Sequence, residues 1–140
     1  MVYAERTRRG CCAVKEIAAH IERAHESLKA AQLLLNDDLS SDAVSRAYYA
    51  CLHVAKAALL SIEEAPRTHK GIHNRFWVQF VESGRIPRAV GDVLAYAWKM
   101  REQADYDVLT RFDPGSVADL LRDVAGFVEA VAGEIDSLDA

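Results

Sequence analysis

At 140 residues the chain has the length of one domain with its own core, and 51% apolar with 27% charged residues is the composition of a globular protein in water rather than a fibrous or low-complexity one. A net charge of -4 excludes a general attraction to nucleic acid or to an anionic membrane, although seven of the acidic side chains and only Arg122 on the basic side lie from Asp113 onward, which leaves the earlier part slightly basic. There is no apolar run of bilayer length, no signal-peptide pattern at the start, and no cysteine spacing that suggests a disulfide framework or a zinc cage, so the expected setting is a reduced cytoplasm without membrane attachment.

Residues 1 to 11, with Arg6, Arg8 and Arg9 and little to bury, read as a flexible lead-in, and residues 12 to 138 as a single domain. From about Cys12 to Leu35 the apolar positions Val14, Ile17, Ile21, Ala24, Leu28, Ala31 and Leu35 recur at helical spacing, with His20 and His25 placed at the surface or rim. Asn36 to Ser41 is a turn cluster in which Ser40 or Ser41 is expected to cap the next helix. That helix, reaching about Ser61, is the centre of the pattern. One face carries Val44, Tyr48, Cys51, Ala55, Leu59 and Ile62, and a second carries the small residues Ala43, Ala47, Ala50, Val54 and Ala57. Only the stripe Asp42, Arg46, Tyr49, His53 is polar, so the helix is expected to be buried among others and its polar stripe to need partners.

Pro66 ends this pattern, and Thr68 is an N-cap for a third helix through about Val81 that buries Ile72, Phe76 and Phe80 before Ser83-Gly84 stops it. Ile86-Pro87 opens a fourth helix whose stripe Val90, Leu94, Ala97, Arg101, Asp105 begins apolar and ends charged. After a loop over Asp107 to Arg111, Asp113-Pro114 starts a last helix that buries Val117, Leu120, Leu121, Val124, Phe127, Val128, Val131 and Ile135. Five helices, short connections and no strand pattern make an all-α antiparallel bundle.

Arg101 and Asp105 are four residues apart on an otherwise apolar face, with Tyr106 beside them, and Arg46, Tyr49 and His53 are the groups available to satisfy them. Two readings stay open. One is an ion-pair network that fixes how two helices meet. The other is a site between those helices in which arginine binds a phosphate and histidine or tyrosine moves a proton. His69 and His73 have a spacing that could hold a metal, but no carboxylate nearby completes the set, so no metal is expected. His69, near a helix N-terminus, reads instead as making a local hydrogen bond or as part of an anion site with Lys70 and Arg75. No phosphate loop, nucleophile elbow or paired carboxylates occur, and no cofactor is expected.

Ser45-Arg46-Ala47-Tyr48-Tyr49-Ala50, His53, Thr68-His69-Lys70-Gly71, Phe80-Val81-Glu82-Ser83-Gly84 and Arg101-Glu102-Gln103-Ala104-Asp105-Tyr106 follow one another in this order. Together they resemble the HEPN superfamily, in its small single-domain prokaryotic branch, over about residues 14 to 136. The resemblance implies a helical bundle, a homodimer, and a small nucleotidyltransferase as partner in a toxin–antitoxin pair. It also implies an arginine followed four to six residues later by a histidine in members that cleave RNA without metal. Here Arg101 matches the arginine, while Asp105 and Tyr106 stand where the histidine is expected. A carboxylate adds negative charge beside a phosphate, and tyrosine, with a pKa near 10, is a weak base at neutral pH. The expectation is therefore a binding or regulatory component that holds RNA or a nucleotide through Arg46, Tyr49, Arg101, Asp105 and His69. Its rivals are an RNase using Arg101 with Tyr106 or His53, and a structural adaptor between proteins.

Overall fold

The computed structural model describes residues 2–139, and side chains for residues 13–138. Five α-helices follow one another: α1 (Val2–Asn36), α2 (Ser40–Ser61), α3 (His69–Phe76), α4 (Arg88–Tyr106) and α5 (Pro114–Asp139). No strand occurs among the described residues, so the all-α bundle stands as expected. No described helix is long and apolar enough to cross a membrane. The side chains of the lead-in, residues 1 to 11, lie outside the described set.

α2 is the centre. It packs against α1, α3, α4 and α5, and twelve of its 22 residues are buried, which its two apolar faces require. Ala43, Ala47, Ala50 and Ala57 are fully buried, and such short side chains let neighbouring helices approach closely. α5 covers a further side with Val117, Leu120, Val124, Phe127, Val131 and Ile135. Phe76 stacks on Phe80 with centroids 5.3 Å apart and meets Phe127 at 5.5 Å, which joins the third helix to the last.

Two local expectations change. Neither Ser40 nor Ser41 caps α2, because Leu39 holds the N-cap position without a side-chain bond. The turn closes by backbone instead: Leu39 N–H donates to Leu34 O at 2.8 Å and Asp38 N–H to Leu35 O at 3.0 Å, with Asp38 in the left-handed region at φ 61. The helix expected from Thr68 to Val81 forms, and Thr68 Oγ1 accepts the Gly71 N–H at 2.9 Å as a cap should. Its pitch widens, however, into a π-helical stretch over Trp77–Glu82. The wider turn allows the adjacent Phe80 and Val81 both to be buried. It also brings Val81 against α4 at Gly91, where a Cβ would lie 2.5 Å from Val81 Cγ2. That close approach joins α4 to the stretch that follows α3.

A candidate anion and histidine site between α2, α3 and α4

Arg101 is the organising side chain. It projects from α4 toward α2, is one-fifth exposed, and lies among three rings, with Cζ 5.5, 5.3 and 5.5 Å from the centroids of Tyr48, Tyr49 and Trp98. Its Nη2 donates to Tyr49 Oη at 3.2 Å and pairs with Asp105 Oδ2 at 3.2 Å, one turn along α4. Its Nε is buried and has no hydrogen-bond partner among the described residues. The guanidinium is thus held in place by aromatic packing and keeps a donor uncommitted.

Tyr48 is fully buried on the adjoining position of α2, and its hydroxyl reaches α3. Tyr48 Oη lies 2.9 Å from His73 Nε2 and 3.4 Å from His69 Nδ1. Both imidazoles stand edge-on to Trp98, with centroids 5.7 and 5.6 Å away and planes at 80° and 76°. A pocket of about 450 Å³ opens over this cluster, lined by His69, Lys70, His73, Asn74 and Trp98. Burial pushes the Tyr48 phenol above its ordinary range, opposed by the Arg101 charge. Burial lowers His69, helped by Arg101, and lowers His73 to about 4, helped by His69. Both histidines are therefore neutral at pH 7.

His53 lies elsewhere. Its Nδ1 is 3.0 Å from Nδ1 of His20 on α1, and the two rings are 5.3 Å apart. His20, expected at the surface or rim, is half-buried in this pair, while His25 is exposed. Burial, then the neighbouring imidazole, lowers His53 to about 4, and burial followed by Lys56 lowers His20. Arg46 is exposed on α2 and makes no hydrogen bond or ion pair among the described residues. Tyr106 is 86% exposed. Of the residues expected to converge, Tyr49, Arg101 and Asp105 meet; His69 stands beside them across Tyr48 and Trp98; Arg46, His53 and Tyr106 do not join the contacts.

Two members of the cluster are not singled out by the sequence: Tyr48 has the pattern of a core residue, and Trp98 lies on no polar stripe. Trp98 had a signal, since it lies three residues before Arg101 and an aromatic ring at that spacing covers a guanidinium.

Comparison with known proteins agrees with this architecture. The HEPN domain family matches residues 17–135. The chain belongs to the HEPN domain family. A protein of Methanocaldococcus jannaschii named "putative toxin" is 42% identical over 92 residues, which are 66% of this chain and 69% of that protein. A UPF0332 protein of Thermotoga maritima is 32% identical over 116 residues, covering 83% and 88% of the two chains. A further UPF0332 protein, from Pyrococcus horikoshii, is 40% identical over 83 residues, 59% of this chain and 58% of that one. Within this HEPN domain Arg101 on α4 and the two imidazoles of α3 share Tyr48 and Trp98 as neighbours.

Proposed function

We propose that this HEPN domain is the binding component of a toxin–antitoxin pair, acting as a homodimer beside a small nucleotidyltransferase and holding a phosphate of RNA or a nucleotide at the Arg101 cluster. One observation carries the reading: a guanidinium fixed on three aromatic rings, one-fifth exposed, close to a pocket edged by His69, Lys70 and Trp98. Such a group is pre-organised for an oxyanion and loses little side-chain freedom on binding. The toxin designation of the Methanocaldococcus relative supports the wider setting.

Binding fits better than cleavage by Arg101 with His53 or Tyr106. His53 is engaged by His20, and Tyr106 stands in solvent. The test is fluorescence polarisation with labelled single-stranded RNA and with ATP. Arg101→Ala should weaken affinity by about 5- to 150-fold, the equivalent of about 1–3 kcal/mol for one charge-assisted contact. Melting is followed in parallel, because Asp105 also loses its partner. Unchanged affinity in a folded Arg101→Ala protein overturns the reading, and RNA cleavage lost in that variant at unchanged stability would favour the RNase. Light scattering should give a mass near twice 15.5 kDa.

A further inference from the structure

We propose that the pocket between α3 and α4 is a base subsite, which takes the nucleobase of the ligand whose phosphate Arg101 holds and stacks it on Trp98. This names the chemistry recognised beside the phosphate and rests on the binding reading above for the phosphate alone. The pocket, of about 450 Å³, lies in the size range of small-molecule sites, and three of its five lining residues carry rings: His69, His73 and Trp98. Trp98 is half-buried, and the two imidazoles meet its plane at 80° and 76°. Rings set nearly at right angles to an indole make a corner into which a flat group fits. Tyr48, fully buried, meets both imidazoles through its hydroxyl at 3.4 and 2.9 Å, so the corner is set before a ligand arrives.

The polarity of the lining divides in the way a nucleotide does. Burial keeps both imidazoles neutral at pH 7, and an uncharged aromatic lining suits a base, whose π-face stacks on any ring. Asn74, exposed at the rim, carries an amide N–H donor and a carbonyl acceptor side by side. That pair matches the N7 acceptor and N6 donor of adenine. Positive charge stands at the edges, with Lys70 in the lining and Arg101 Cζ 5.5 Å from the Trp98 centroid. None of the described residues lining the pocket is a carboxylate, so a phosphate entering beside the base meets no like charge there. Asp105 is paired with Arg101 and lies outside the lining.

Intrinsic fluorescence tests this in the full chain, which has two tryptophans; the second, Trp77, packs on Gly91 and under Arg88, outside the lining. The probes are AMP, adenosine and ribose 5-phosphate, with excitation beyond the adenine absorption band and calorimetry alongside. Expected is saturable quenching by AMP and by adenosine in the wild type and in Trp77→Phe, and none in Trp98→Phe. AMP should bind at least about fivefold tighter than ribose 5-phosphate, the low end of what one stacked base contributes. Asn74→Ala should weaken AMP and adenosine alike, whereas Lys70→Ala should weaken AMP and leave adenosine unchanged. Circular dichroism checks that each variant is folded. Ribose 5-phosphate binding as tightly as AMP overturns the base subsite while the phosphate reading stands. Adenosine quenching Trp98 with no gain from the phosphate of AMP supports the base subsite and overturns the phosphate reading instead. Absence of saturable quenching of the wild type up to millimolar AMP and adenosine, or quenching that persists in Trp98→Phe, overturns the proposal whatever the other variants do.

Discussion

Acidification should loosen the join between α1 and α2 at the His20–His53 pair. With Nδ1 atoms 3.0 Å apart, one ring must donate and the other accept, so the pair fits when both imidazoles are neutral. A second proton would set two N–H groups against each other, close to Lys56 and Arg23, with Glu16 alone giving partial relief to His20. His53 is lowered from 6.5 to about 4. In the unfolded chain it takes up its proton near 6.5, so unfolding absorbs a proton between those values and stability falls as pH drops through that window. Full stability belongs to pH above 6.5. The complete shift corresponds to at most about 3.4 kcal/mol. Because the ring is only partly shielded from water, about 1–2 kcal/mol is the expected size, or roughly 3–8 °C in melting temperature for a chain of this length. Thermal melts at pH 7.5 and 5.0 would measure it, a range chosen to stay above most carboxylate titrations. His69 and His73 act in the same direction, so His53→Leu is compared with the wild type and should remove part of the drop while the remainder persists. NMR titration of the His53 ring gives the direct reading. A His53 titrating near 6.5, or equal melting losses in wild type and His53→Leu, would refute the argument.

Two further outcomes follow from local geometry. Gly91→Ala sets a Cβ 2.5 Å from Val81 Cγ2 and should cost about 1–3 kcal/mol in chemical denaturation, with Val81→Ala in the same chain returning part of the loss. Thr68→Ala removes the hydroxyl that accepts the Gly71 N–H and should cost about 1 kcal/mol, whereas Ser40→Ala, at a position without a capping bond, should be close to neutral.

The bundle was legible because its signals are local. Period-3.6 apolar spacing, Pro66, the Thr68 cap and Asp113-Pro114 each act within a few residues, and α2, α4 and α5 lie where those signals put them, whereas α1 begins at Val2 rather than near Cys12 and α3 passes into the π-helical stretch at Trp77. Asp113 Oδ2 indeed accepts the Ser116 N–H at 3.1 Å at the start of α5. The misread details were those where local choices compete. The α1–α2 turn closes through backbone carbonyls, leaving the serine hydroxyls without the capping role. The π-helical stretch packs Val81 and Trp77 against Gly91 on another helix, a contact that local spacing does not show.

The same division runs through the site. From the sequence alone came the α2 polar stripe, the Arg101–Asp105 pair on α4, and the knowledge that these groups, placed on apolar faces, would need partners. Spacing along one helix determines that much, since residues three or four apart share a face whatever the helix later meets. Which partner each group takes depends on how the helices rotate and cross. That is decided by packing among small residues and by the Gly91–Val81 contact, whose effects sum over the whole core. Only the folded chain turns His53 toward His20, lays Arg101 on Tyr48, Tyr49 and Trp98, and brings Tyr48, a residue indistinguishable from core in the sequence, between two histidines on α3.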